Sequence, residues 1–297
     1  MLSSGHASPT MSDVMDDSAN SSNAPKPVTF GQLVRHSTLE LILTFFMLFG
    51  VTSIVRWVIG PSLISRTFPE IQVELLIVGA SVAILIAGLI LSPPGRAAGG
   101  HMNPAISLAM WRFGAFPGAG VIPYVIAQLL GSVLGVLAAR AVWGPVVAEP
   151  SVAYAVLQPG PGWSGAELFV AETASMAFIV LVVGVCLSAP RLAPFVPWIV
   201  GVAIGTAIAT LGTSTGGSVN PARQFGPAIL SGQTGFLWVY LLAPIVGAVI
   251  ATWLLQRAQR RCVLTHRLCG TQRDGRPLSE SSPRPNALLS KPRAGTE

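Results

Sequence analysis

Apolar residues come in long, nearly unbroken runs. Six of them, roughly 38–58, 71–92, 119–142, 166–188, 195–213 and 236–256, reach about the 20 residues a helix needs to cross a hydrocarbon core about 30 Å thick. Several of them hold Gly, Ala, Ser and Thr at close spacing, as in GSVLGVLAA at 131–139 and GVAIGTAIA at 201–209. Small residues let helices approach closely inside a bilayer, so the pattern predicts a tight bundle of six spanning helices.

Two stretches interrupt this pattern in the same way. Residues 99–106 read GGHMNPAI and residues 216–223 read GGSVNPAR, their Asn-Pro-Ala triplets 117 residues apart. Asn is a strong helix N-cap and Pro is favoured at the first helical position. Asn103-Pro104-Ala105 and Asn220-Pro221-Ala222 therefore each start a helix, over roughly 103–112 and 220–230. Ten residues rise only about 15 Å, half the apolar thickness.

The surroundings repeat too. PYVIAQLLGSV at 123–133 aligns with VYLLAPIVGAV at 239–249, so Tyr124 matches Tyr240, Gln128 matches Pro244 and Gly131 matches Gly247, each 116 residues on. Glu40 in the first run has a counterpart in Glu172 of the fourth. Two halves of three spans each must enter the membrane in opposite senses, an inverted repeat that puts a site near the midplane. The two half-helices then enter from opposite faces and meet at their N-termini. Irregular backbone at that depth requires burial in protein or a water-filled cavity.

Composition agrees. The 297 residues are 51% hydrophobic and 10% charged, with a mean hydropathy of +0.63. The net charge of +6 is concentrated after the last apolar run, where nine of the 18 Lys and Arg lie. That is a tail rather than a basic groove, and it argues against a nucleic-acid partner. Placing both termini inside puts fourteen cations on the cytoplasmic side and four outside, as the positive-inside rule favours. Residues 1–35, rich in Ser, Asp, Asn and Pro, are expected to be a disordered cytoplasmic tail; 36–257 form the membrane domain, with repeat halves of about 36–142 and 166–257; 258–297 form a basic cytoplasmic tail.

Chemistry-bearing clusters are sparse. Cys262, His266 and Cys269 stand at ligand-like spacing but lack a fourth ligand, and His36, His101 and His266 fall in unrelated segments. No nucleophile-base arrangement or phosphate loop appears, so neither an enzyme nor a cofactor is expected. Apart from Glu40 and Glu172 the span interiors hold almost no ionisable groups, which disfavours an ion-coupled secondary transporter.

Over roughly 36–257, through GGHMNPAIS, GGSVNPARQFGPA and the Glu40/Glu172 and Tyr124/Tyr240 pairs, the chain resembles the aquaporin, or major intrinsic protein, family. The resemblance implies an all-α membrane protein of six spans plus two re-entrant half-helices. It implies a homotetramer in the plasma membrane with one pore per subunit, passing water and small uncharged solutes while excluding protons and ions. It assigns the two Asn-Pro-Ala motifs to the pore, Glu40 and Glu172 to bracing the loops before them, and Arg223 to a four-residue filter. Counting along the family pattern without gaps gives Ala83, Ile208 and Gly217 as the other three filter positions. That set resembles the boric-acid-transporting plant nodulin-like intrinsic proteins and implies a wide filter that admits glycerol, urea or boric acid. A strictly water-selective pore is the alternative. Gln224 and Ala228 depart from the glycerol-channel pattern, which has an Asp and a basic residue there.

Overall fold

A computed structural model describes residues 28–258, which fall within one compact unit. Both tails, with Cys262, His266 and Cys269, lie outside the described residues.

Six helices are long and apolar enough to cross a membrane. They are α1 (Phe30–Val58), α3 (Ile71–Leu91), α6 (Val121–Trp143), α7 (Gly165–Ser188), α8 (Val196–Leu211, a span of 19 residues with the turn Ala193–Phe195 before it) and α10 (Leu237–Arg257). Two short helices flank α3, namely α2 (Leu63–Thr67) and α4 (Pro93–Ala98). Two more follow the Asn-Pro pairs: α5 (Pro104–Arg112) and α9 (Pro221–Ser231). At 1.5 Å per residue these span about 14 and about 17 Å, too short to cross. All regular structure among the described residues is helical.

The first span begins earlier than the apolar pattern indicates. Thr29 and Gln32 form a capping box that starts α1 at Phe30, so the boundary expected at residue 35 moves to about 29. Hydropathy cannot see the polar turns GQLVRHS, whereas the capping pair was readable.

The burial pattern inverts that of a water-soluble protein. Phe46, Leu76, Ile84, Leu130, Phe178 and Leu242 are exposed around the bundle, while Glu40, Gln128, Ser132, Glu172 and Gln224 are buried inside it. Lipid tails take the apolar surface, and polar groups must find partners within the protein. Glycine sets the closest helix contacts. A Cβ on Gly131 of α6 would lie 2.5 Å from the Leu41 carbonyl oxygen of α1, and one on Gly205 of α8 would lie 2.5 Å from that of Gly79 in α3. In the second half, Gly247 of α10 presses in the same way on the Thr173 carbonyl of α7. Gly131 and Gly247 are repeat partners, so the internal symmetry read from the sequence is also a symmetry of packing.

Candidate functional site

The two half-helices meet at their N-termini, and the meeting is reciprocal. Asn103 and Asn220 cap their helices through the side-chain oxygen, accepting from the N–H of Ala105 at 2.9 Å and of Ala222 at 2.9 Å. Each amide nitrogen then crosses to the other loop. Asn103 Nδ2 donates to the Val219 carbonyl at 2.9 Å, and Asn220 Nδ2 donates to the Met102 carbonyl at 2.9 Å. An amide nitrogen carries two hydrogens, so each Asn keeps a second one for a further acceptor.

Met102 and Val219, just before each Asn, have φ of +48° and +44°. Left-handed backbone is uncommon outside glycine and most so for a β-branched residue, so something must hold it there. Two carboxylates do. Glu40 accepts from the N–H of His101 at 2.8 Å and of Met102 at 2.7 Å, and from Gln128 Nε2 at 2.9 Å. Glu172 accepts from the N–H of Ser218 at 3.1 Å and of Val219 at 2.7 Å. Both acids are fully buried. The tyrosines complete the frame: Tyr124 Oη donates to the Ala98 carbonyl and Tyr240 Oη to that of Thr215, each acceptor five residues before its Asn.

Further buried side chains that the sequence did not single out join this network. The Ser132 hydroxyl of α6 donates to the Ala222 carbonyl and accepts from the Gly226 N–H at 2.9 Å, tying α9 to the first half of the chain. Ser107 of α5 accepts from Gln128 Nε2 at 3.0 Å and lies 3.1 Å from His101 Nδ1. A lone Ser in an apolar run carries no signal of such a role, because its partners are distant in sequence.

A cavity of about 250 Å³ runs down to Asn220 from the loop after α6. One wall is apolar, built from Met47, Val51 and Val55 of α1, Val78 and Val82 of α3, and Ile204 and Ile208 of α8. The opposite wall is polar, with Gly216, Gly217, Ser218, Asn220 and Arg223. Asn103 is not among its lining residues; it reaches the site through the cross-loop bond.

Three of the four positions counted from the motifs, Ile208, Gly217 and Arg223, line this cavity together. Ala83 does not. Its backbone lies against Gly201 and its Cβ would be 3.1 Å from a Cβ on Gly205, so it packs between α3 and α8. The ungapped count therefore does not bring Ala83 to the cavity wall beside the other three. Leu75 packs beside Gly212 and Gly79 beside Gly205, which places Val78 near the height of Ile208, facing the lumen.

Gly217 is bound to its place by conformation. Its φ is +62°, and a Cβ there would lie 2.6 Å from the Ala207 carbonyl oxygen and 3.0 Å from the Ile208 nitrogen. Gly217→Ala is therefore expected to destabilise the fold by about 2 kcal/mol or more, from the left-handed conformation plus overpacking. A thermal melt of the detergent-solubilised protein checks this; a melting temperature within a degree of wild type would contradict it.

Six spans enclosing two opposed half-helices, with a part-polar cavity ending at their junction, define a polytopic membrane channel. The family model that matches residues 26–255 is that of the major intrinsic proteins, and the chain belongs to that family. It is 38% identical over 183 residues to a probable aquaporin AqpM of Archaeoglobus fulgidus, covering 60% of this chain and 74% of that one. It is 29% identical over 213 residues to a probable aquaporin NIP7-1 of Arabidopsis thaliana, covering 71% and 72%. The X-ray structure of the aquaglyceroporin from Plasmodium falciparum shares the fold, with a TM-score of 0.63 at 22% identity, covering 76% of this chain and 96% of that one. The protein is thus a channel for water and small solutes.

Proposed function

We propose that the chain passively conducts water and small neutral hydroxylated or amidic solutes, of the glycerol, urea or boric acid type, through a constriction formed by Val78, Ile208, Gly217 and Arg223. The composition of the cavity wall supports this reading best. Two branched aliphatic side chains and a glycine leave more width than aromatic and imidazole groups would, while Arg223 supplies donors to a polar solute. The Val78 assignment replaces Ala83, and the set stays small and apolar apart from the arginine. The paired helix N-termini put about half a positive charge each at the junction, which opposes cations. The spare amide hydrogens of Asn103 and Asn220 orient a passing oxygen.

In this reading the protein sits in the plasma membrane with both termini cytoplasmic, as the distribution of Lys and Arg favours. It assembles as a homotetramer, as family membership suggests.

Stopped-flow light scattering on proteoliposomes tests the solute range. Glycerol, urea or boric acid should enter well above the rate of empty liposomes. The double variant Val78→Phe with Ile208→His is expected to lower solute flux about tenfold or more while sparing water, because the added rings fill the apolar wall. Fast water without solute flux in the wild type would make the pore strictly water-selective. Uptake that collapses with a protonophore would point to a coupled transporter.

A further inference from the structure

The loop that closes the mouth of the cavity is held under conformational strain. Ala153, Tyr154 and Ala155 are all non-glycine and all left-handed, with φ of +43°, +57° and +61°. Successive residues of this kind are unfavourable for L-amino acids and persist only where the surroundings fix them. One end of this strap is fixed by packing. Val152 is buried, and a Cβ on Gly60 would come within 2.6 Å of its Cγ2.

The other end is fixed by Gln224. Its Oε1 accepts from the Leu157 N–H at 3.0 Å, and its Nε2 donates to the Leu157 carbonyl at 2.8 Å. The side chain is 1% exposed. The amide completes both bonds at once whatever the pH: an ionised carboxylate accepts without donating, and an apolar side chain does neither. Between these anchors the Ala155 carbonyl receives Arg223 Nη1 at 2.6 Å. Arg223 and Gln224 are consecutive in the first turn of α9, so they grip the same strap two residues apart. Leu157 also packs on Gly216, beside Gly217 in the cavity wall.

We propose that Gln224 is a positioning residue for selectivity: by fixing Leu157 it sets where the Ala155 carbonyl stands, and thereby how the Arg223 guanidinium is turned across the pore mouth. Gln224 does not line the cavity; it acts through the strap. This rests on the reading of Arg223 as a filter residue.

The experiment uses the full chain in proteoliposomes with Gln224→Met, which keeps the length and removes both bonds, and Gln224→Glu, which when ionised keeps the acceptor and removes the donor. Loss of these buried bonds is expected to change the glycerol-to-water permeability ratio about threefold or more in Gln224→Met, with a smaller shift in Gln224→Glu, at unchanged amounts of intact protein. An unchanged ratio in both variants would overturn the proposal. Amide hydrogen exchange on the wild type gives a second reading independent of solute and of variant folding. The Leu157 amide should be protected like a helical one, and exchange at the rate of an open loop would overturn the proposal. A wild type impermeable to glycerol would refute the proposed solute range instead. Gln224→Met would then be read as a rise in proton leak, whose absence counts against the positioning role.

Discussion

Replacing Glu40 by alanine is expected to prevent recovery of folded channel. Three donors lose their acceptor together: the His101 and Met102 N–H groups and Gln128 Nε2, all buried. Each unsatisfied buried donor costs about 1–3 kcal/mol, so the sum of about 3–9 kcal/mol is comparable with the whole stability of a typical domain. The strained φ of Met102 also loses what holds it, and its carbonyl is the acceptor for Asn220 of the other half. The damage therefore reaches both half-helices. Glu172→Ala removes two backbone donors' acceptor and should be nearly as severe. Glu40→Gln retains one acceptor oxygen and is expected to be intermediate. Size-exclusion profiles and melting temperatures of the solubilised variants check the order Glu40→Ala, Glu172→Ala, Glu40→Gln. A Glu40→Ala protein that melts at the wild-type temperature would refute the bracing role.

Arg223→Val is expected to leave a folded protein that excludes cations less well. Arg223 is the only charged side chain lining the described cavity, and its hydrogen bond to Ala155 shows the guanidinium lying at the mouth. A fixed positive charge in a narrow, low-dielectric passage is worth several kcal/mol against a cation a few ångströms away, so its removal should raise proton leak about tenfold or more. The dipoles of α5 and α9 remain, which keeps the leak below that of an open pore. A pH-sensitive dye inside proteoliposomes, with an imposed gradient and potential, measures this directly. Leak equal to wild type would mean that the half-helix dipoles suffice as the barrier and that Arg223 serves solute recognition alone.

The contrast between these two variants follows from how each group is used. Glu40 spends its hydrogen-bonding capacity on two backbone amides and Gln128, so its loss is expected to be felt as stability. Arg223 spends one donor on the strap and also lines the cavity, so its loss is expected to be felt as selectivity.

Much of this architecture was written locally. The length and apolarity of the runs fixed the number of spans, because a bilayer core dictates how many residues must be hidden from water. The Asn-Pro-Ala triplets fixed the starts of α5 and α9 to within a residue, because N-capping and the proline φ act over two or three positions. The repeat paired Tyr124 with Tyr240 by its 116-residue spacing, and Glu40 with Glu172 by their place in corresponding spans. Tertiary structure decided what depends on path length and on partners distant in sequence. That Val78 and not Ala83 lines the cavity depends on how α3 packs on α8, since five residues along α3 separate a lumen-facing position from a helix-packing one. The roles of Ser107, Gln128 and Ser132 came from neighbours up to 94 positions away. Gln224 stood in the sequence only as a departure from a pattern. Its grip on Leu157 exists because folding brings an otherwise featureless loop back over the first turn of α9.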